Sequence, residues 1–436
     1  MSELRVGLLG LGTIGTGVAR ILIEQQALMS RRLGKTIRLV AAADQNLERD
    51  RGLDFSGVRL STDAQDVVMA DDVDLVVELI GGYEPARTFV ATALENGKHA
   101  VTANKALIAK HGEELFPLAA EKGVAIGFEA AVGGGIPCLK ALREGCAANA
   151  IESVYGILNG TCNFILTKME NEGADYTDVL REAQELGYAE ADPTFDVEGV
   201  DTAHKLSILA AMAYGSKIRF DEVFTEGISK ITAADIESVA ELGYRIKLLG
   251  IAKAHGEQVE MRVHPTLVPL TAQLAQVSDS YNAVQVSGDF VEHTMYFGRG
   301  AGERPTASAV VADIMDIARV HPGGVGHLAP PMGFVDAERR ELATLPMADV
   351  VCEYYLRLMV RDEPGVIASV TSILADHRIS LEALNQKERH ATHAVPIVML
   401  THETTEGNLQ AAISRIIGLA AVDEDVLILR KESAVA

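Results

Sequence analysis

An apolar run at residues 6–9 passes directly into Gly10-Leu11-Gly12-Thr13-Ile14-Gly15, and this junction constrains the fold more than any other stretch of the chain. The spacing GxGxxG between a strand and a helix puts the first glycine at a tight turn and the second where backbone approaches a pyrophosphate. The third sits where the helix packs on the strand. Gly10, Gly12 and Gly15, with Thr13 and Ile14 opening the helix, are therefore the expected dinucleotide cradle, the phosphates facing the helix N-terminus. A purely structural turn is the alternative, and placement between strand and helix argues against it.

Further apolar runs at residues 37–43, 75–80, 99–102 and 124–128 alternate with helical spacing, the pattern of a doubly wound parallel α/β sheet. Asp44 closes the second strand, where a carboxylate accepts hydrogen bonds from both adenosine ribose hydroxyls and repels a 2′-phosphate. NAD is thereby favoured over NADP, although Arg49 and Arg51 stand close enough to meet a 2′-phosphate.

Residues 1–137 thus form a dinucleotide-binding domain, which a helix at 305–320, opened by Arg304-Pro305-Thr306, completes. Residues 138–304 mix strands at 153–158 and 259–268 with helices at 178–187 and 200–214, an α+β second domain. A linker rich in Pro and Gly spans 321–350. Residues 351–436 then alternate β-α-β-β-α-β, the order that packs two helices on one face of a four-stranded antiparallel sheet.

Charge narrows the partners. With 39 Lys and Arg against 61 Asp and Glu, the net charge of −22 repels phosphate backbones and anionic membrane surfaces, so neither nucleic acid nor membrane is expected. Cys138, Cys146, Cys162 and Cys352 form no CxxC pair and have no histidine at zinc-finger spacing, which fits a reducing cytoplasm without zinc or disulfides. The N-terminus lacks a signal-peptide pattern, and no apolar run reaches the length of a membrane span.

Three further stretches carry chemistry. Lys105, in Thr102-Ala103-Asn104-Lys105, follows the fourth strand at the edge where ligands sit, although a lysine opening a helix is also simply solvated in many proteins. Glu129 precedes Gly133-Gly134-Gly135, a loop able to turn carbonyls onto a hard cation or to serve as a plain hinge. The acidic loop at 187–201 leads into a helix where Asp201 and Lys205 share a face at i,i+4. Leu206, Ile208, Leu209 and Ala210 mark that helix as buried, where an unpaired ammonium is expensive. His204 beside the pair reads as a structural histidine.

The segments VTANKALIA, EAAVGGGIP, GILNGTCNFIL, ELGYAEADPTFDVEGVDTAHKLSIL and GRGAGERPTASAVVADI, in this order, closely resemble homoserine dehydrogenase over nearly the whole chain. The tail, with Arg361-Asp362-Glu363-Pro364-Gly365-Val366, resembles an ACT domain, a regulatory amino-acid-binding module. The resemblance implies a Rossmann domain, an α+β catalytic and dimerisation domain, and a ferredoxin-like ACT domain. It implies reversible NAD(P)H-dependent reduction of L-aspartate 4-semialdehyde to L-homoserine, in threonine, methionine and isoleucine biosynthesis, by a homodimer or homotetramer.

By the same resemblance Lys205 is the proton donor, Asp201 its partner near the substrate hydroxyl, and Lys105 the lysine at nicotinamide and substrate. Glu190 holds the substrate ammonium with Asp196 as a second acid, Gly187 and Gly302 lie against the cofactor, and a sodium or potassium ion sits on Glu129 and the carbonyls of Val132, Gly134 and Ile136. Many members carry a basic residue beside the second-strand acid, whereas Ala41, Ala42 and Ala43 precede Asp44 here. Two rival classes remain: another Rossmann semialdehyde oxidoreductase, which would need an activated Cys162, and a non-catalytic amino-acid sensor that keeps the tail and loses the pocket. Threonine is the expected effector at the tail.

Overall fold

Strands that are apolar on both faces need a helical layer on each side, and the N-terminal segment supplies both. The computed structural model describes residues 3–386 and 394–433. They fall into two compact units: Met1–Leu158, His204–Val223 and Tyr281–Leu342 in the first, Asn159–Ala203, Phe224–Ser280 and Ala343–Ala436 in the second.

The first unit opens with β1 (Glu3–Leu9), α1 (Thr13–Glu24), α2 (Gln26–Leu33), β2 (Thr36–Ala43), β3 (Arg59–Ser61) and α3 (Ala64–Val68). It continues with β4 (Leu75–Glu78), α4 (Ala86–Glu95), β5 (His99–Thr102), α5 (Lys105–Lys122) and β6 (Ile126–Gly127). The six strands run parallel in the order β3-β2-β1-β4-β5-β6. Chain direction across the sheet reverses between β1 and β4, which opens a crevice at the carboxyl edge.

On one face Val6, Leu8, Ala42 and Val77 pack with Val18 and with Ala307, Val310 and Ile314 of the helix Glu303–Val320, which returns from late in the chain. On the other, Leu9, Val40 and Val76 meet Val67 and Ala93. Gly17 allows α1 to approach the returning helix, because a Cβ there would stand 2.8 Å from Glu303 Cγ and 3.0 Å from Ala307 Cβ. The same unit carries an antiparallel trio, Ile151–Ile157, Tyr281–Gly288 and Glu292–Arg299, of which the sequence reading predicts only the first.

In the second unit the hairpin Tyr244–His255 and Gln258–Pro269 continues into the tail sheet: Thr266 pairs with Arg430 and Leu267 with Lys431, in parallel with the strand Val422–Lys431. Beyond it lie Val351–Arg361, Ala394–Thr401 and Leu381–Asn385, all antiparallel. The helices Val366–Asp376 and Glu406–Ile417 bring Val370, Ile373, Leu409, Ile413 and Ile416 into one core with Tyr354, Leu356 and Leu358, the β-α-β-β-α-β arrangement expected. Its third element is expected to reach residue 388, which lies outside the described residues. At Arg430 and Lys431 the outer strand of this sheet is thus paired from within the chain.

Buried ions reinforce that junction. Arg262, fully buried, meets Glu260 at 2.6 Å, Glu432, and His264 Nε2 at 2.6 Å. Arg430, 1% exposed, bonds Glu406 at 2.6 Å and Glu226 at 2.5 Å, and Arg357 donates to the buried Asp235 at 2.6 Å. Burial and the nearby Arg430 and Arg262 hold His264 neutral, far below the usual imidazole range. Burial pushes the Glu406 carboxyl up, but the hydrogen bonds and charge of Arg430 and the hydrogen bond from Gln410 together keep it below the ordinary carboxylate value.

Among the described residues no helix is long and apolar enough to cross a membrane, and all four cysteines are free and buried. Because removing Glu406 takes two hydrogen bonds from the buried Arg430 and leaves it to the partly exposed Glu226, Glu406→Ala is expected to lower unfolding free energy by about 3 kcal/mol, read from chemical denaturation of the full chain. A change within 1 kcal/mol, roughly the worth of a surface pair, would show that Arg430 finds water instead.

Candidate active site

At the carboxyl edge of β1 the glycine motif adopts the geometry its spacing requires. Gly10 has φ +92° and lies against Leu79, whose carbonyl oxygen a Cβ would meet at 2.9 Å. A Cβ on Gly15 would sit 1.9 Å from the Gly10 oxygen, whereas one on Gly12 would meet nothing within 4 Å. Gly12 and Thr13 are exposed, Ile14 half-buried, and the first turn of α1 carries no acidic side chain. Open backbone at a helix N-terminus without an opposing carboxylate fits a dinucleotide pyrophosphate.

Asp44 is tied to this loop: Oδ2 accepts from Leu11 N at 2.6 Å and Oδ1 from Asn46 N at 2.8 Å. Arg51 lies 3.2 Å from Asp44 and donates to the carbonyls of Leu11, Arg49 and Asn46. Its side chain is 4% exposed, so its charge is spent on the loop itself.

One strand over, Glu78 ends β4 with no exposed surface. Its Oε1 accepts from the N–H groups of Ile80 and Gly81 at 2.8 and 2.9 Å, and its Oε2 from the Thr102 hydroxyl at 2.6 Å. The Thr102 hydroxyl accepts from Asn104 N, the Asn104 side-chain oxygen caps α5 at Leu107 N, and its amide donates to Gly82 O at 2.6 Å. Lys105, half-buried, begins that capped helix.

Glu129 begins a short turn, Glu129–Ala131, and is buried. Its two oxygens accept from Leu139 N at 3.0 Å and Lys140 N at 2.9 Å, while its own N–H donates to Asp313 at 2.8 Å. Burial, with the Asp313 carboxylate adding to it, pushes its carboxyl up to about 7. The carbonyls of Val132 and Ile136 each accept one bond from Cys138, which leaves each a second lone pair. Gly134, at φ +53°, is pressed against the Gly300 carbonyl. One carboxylate among carbonyls is a donor set for a hard cation of low charge; among the described residues no cluster of His, Cys, Asp and Glu suits a heavier metal.

The second unit brings two of the predicted acids together. The Asn159 amide donates to Asp196 at 2.8 Å and to Asp201 at 2.9 Å, while its oxygen caps the helix Gly160–Glu172 at Cys162 N. Asp201 is 3% exposed. Glu190 is exposed instead, its carbonyl held by Gln184 at 3.1 Å, in the loop that follows Gly187 at φ +75°. Asn159 and Glu78 had no role in the sequence reading; the signal for the first was the Asn that precedes Gly160 in NGTCNF, an N-cap with a spare amide.

The helix expected at residues 200–214 forms over those residues, Val200–Tyr214, so Asp201 and Lys205 stand one turn apart. In the first unit Lys205, 9% exposed, donates to the Leu158 carbonyl at 2.7 Å, just past the strand Ile151–Ile157. Gly302, at φ +114° and exposed, is the N-cap of the helix Glu303–Val320. Cys162 is fully buried, with Sγ donating to the Asp196 carbonyl at 3.3 Å. A cavity of about 530 Å³ in the first unit, walled by Phe116, Ile126, Val320, Met332 and Phe334, contains none of the predicted site residues.

Residues 10–129 match the family described as homoserine dehydrogenase, NAD binding domain; residues 137–315 match that described as homoserine dehydrogenase, and residues 354–421 the ACT domain. The homoserine dehydrogenase of Neisseria gonorrhoeae is 48% identical over 433 residues, covering 99% of both chains. A crystal structure of a homoserine dehydrogenase from Thiobacillus denitrificans matches with TM-score 0.94 at 51% identity over 99% of both chains. A hyperthermophilic archaeal homoserine dehydrogenase in complex with NADPH matches with TM-score 0.63 at 26% identity, over 73% of this chain and 99% of that one.

The raised Glu129 carboxyl has a defined pH signature. With a folded value of about 7 against 4.5, the folded state holds the extra proton, so stability falls as pH rises from about 4.5 to 7, by roughly 3 kcal/mol in all. Glu129→Gln keeps an acceptor for one of the two backbone N–H groups without the charge, and is expected to flatten that part of the profile in thermal melts at pH 5 to 8 without added monovalent salt. An unchanged slope would place the penalty elsewhere.

Proposed function

The chain belongs to the homoserine dehydrogenase family, and from that premise we propose that it reduces L-aspartate 4-semialdehyde reversibly to L-homoserine, with NAD favoured as carrier and a monovalent cation at Glu129. The observation that carries the catalytic part is Lys205: a nearly buried ammonium directed at a backbone carbonyl, on the helix that also bears Asp201.

When bound, the dinucleotide supplies a hydride to the aldehyde carbon. Negative charge then grows on the carbonyl oxygen, and Lys205 Nζ gives it a proton while Lys105 contributes a second positive charge. The Leu158 carbonyl aims the Lys205 ammonium, and the Asn104 cap fixes where the Lys105 side chain starts. Asp196 and Asp201, held by one amide, make an electronegative spot suited to a substrate ammonium, with Glu190 at the exposed end of the same loop. Glu129 and the carbonyls of Val132, Gly134 and Ile136 would hold sodium or potassium.

A carboxylate, Asp44, at the end of β2, with Arg51 engaged by its own loop, supports NAD; the archaeal relative holds NADPH, which makes the preference a property to measure. The full burial of Cys162, whose Sγ donates to the Asp196 carbonyl, speaks against acyl-transfer chemistry, and the retained lysines speak against a sensor. All four cysteines being free supports work in a reducing cytoplasm.

At the tail, Gly365 (φ +96°) caps the helix Val366–Asp376 and Asp362 faces Gln386 at 3.5 Å, an arrangement that supports threonine binding with feedback on rate. The strands Leu381–Asn385 and Glu292–Arg299 each end a sheet in their own unit, which supports assembly as a homodimer or homotetramer. Titration with threonine requires the full chain, since the strand Val422–Lys431 is completed by Gln258–Pro269.

Initial rates with aspartate semialdehyde and NADH or NADPH test the reading directly. Lys205→Ala is expected to lower kcat by about 10²- to 10⁴-fold with unchanged cofactor binding; full activity would remove Lys205 from the proton step. Asp44→Ser is expected to shift the ratio of kcat/KM values towards NADP, and a wild-type preference for NADPH unaltered by the substitution would refute the role of Asp44.

A further inference from the structure

Within the first unit, a polar pair joins the loop after β4 to the helix of Lys205. Tyr83 Oη lies 3.3 Å from His204 Nε2, a hydrogen bond in which the hydroxyl or the ring N–H donates according to the imidazole tautomer. His204 is 1% exposed and lies flat on Phe220, with ring centroids 3.9 Å apart and planes within 6°. Tyr83 is 41% exposed and edge-on to His111 of α5 at 6.2 Å. Phe220 is covered in turn by the Lys110 ammonium, 5.0 Å from its centroid.

The loop has three anchors. Glu78 holds Ile80 and Gly81, Asn104 holds Gly82 O, and His204 holds Tyr83. It borders the glycine turn, with Leu79 O beneath Gly10, at the crevice where the strand order reverses. Two of its anchors therefore belong to segments that carry a lysine of the proposed mechanism, Asn104 next to Lys105 and His204 next to Lys205. An apolar pair would fill the space under Tyr83 without desolvating an imidazole; what the polar pair adds is direction.

We propose that Tyr83 and His204 are positioning residues that lock the loop at the nicotinamide end of the crevice to the helix of Lys205, so that hydride and proton are delivered to one carbonyl group in register. The proposal rests on the reading of Lys205 as proton donor. Neither residue need touch the reacting atoms, and the pair acts through the distance it fixes, to which transfer rates are steep.

The test uses the full chain and four variants: Tyr83→Phe, His204→Leu, His204→Gln and the double variant Tyr83→Phe/His204→Leu. The expected result is a fall in kcat of about tenfold for Tyr83→Phe and for His204→Leu, with KM for aspartate semialdehyde within about twofold. The primary isotope effect with dinucleotide deuterated at the transferred position should rise as the transfer step becomes slower. His204→Gln, whose amide can still reach the tyrosine oxygen, should recover most of the rate, and the double variant should be no slower than the slower single one. Unchanged kcat and isotope effect in Tyr83→Phe overturn the proposal, as do losses that multiply in the double variant. If His204→Leu does not fold, Tyr83→Phe decides alone. A Lys205→Ala variant run alongside separates the failures: inactive Lys205→Ala with wild-type Tyr83→Phe refutes the pair only, whereas active Lys205→Ala refutes the proton-donor reading itself.

Discussion

The carboxyl edge of the nucleotide-binding sheet is organised by one buried carboxylate. Glu78, with no exposed surface, accepts from two backbone N–H groups of the loop that follows it and from the hydroxyl that closes the neighbouring strand. A carboxylate in such a place is tolerable only if its lone pairs are engaged, so the turn at Ile80–Gly81 and the end of β5 are bound to take the shape that engages them. Thr102 passes the constraint to Asn104, Asn104 caps the helix of Lys105, and the loop thus fixed presents Tyr83 to His204. The loop after β4 and the start of the helix Lys105–Lys122 are tied to this single group.

Local signals in the sequence carried much of the fold. The glycine spacing, the apolar runs of β1, β2, β4 and β5 and the helix Val200–Tyr214 could be read because each is set by nearest neighbours and period. β3 could not, being three residues of largely exposed Arg-Leu-Ser that are a strand only because Ala41–Ala43 lie alongside. Tyr244–His255 escaped because it carries Lys247 in the interior, where Nζ is held by Asn163 Oδ1 and Val277 O and burial lowers its pKa to about 8. A buried lysine breaks the apolar pattern that marks a strand.

The site shows the same division. Residue types that announce chemistry, Lys105, Glu129, Asp201 and Lys205, stood out in sequence, and so did Asp44 at its strand end. The groups that aim them did not. Asn159 looks like any asparagine until folding brings Asp196 and Asp201 to its two N–H bonds, and Arg51 looks like a free cation until it is seen wrapped in three carbonyls. Partners distant in sequence are invisible to spacing, and they decide whether a charge is available to a ligand or already committed.

The second unit is assembled from three separated pieces of chain, and its central pairing joins Gln258–Pro269 to a strand that ends at Lys431. During synthesis Thr266 and Leu267 therefore leave the ribosome before Arg430 and Lys431 exist to pair with them, and Arg262 before Glu432, while about 160 further residues are made; at roughly 5–20 residues per second that interval is on the order of 10 to 30 seconds. For that time the stretch of edge at Thr266–Leu267 lacks its partner strand, and an unpaired edge is a template for pairing with other nascent chains. Residues 430–432 thus help to close the unit from far along the chain, and a chain interrupted before them has its tail sheet and its earlier hairpin both unfinished.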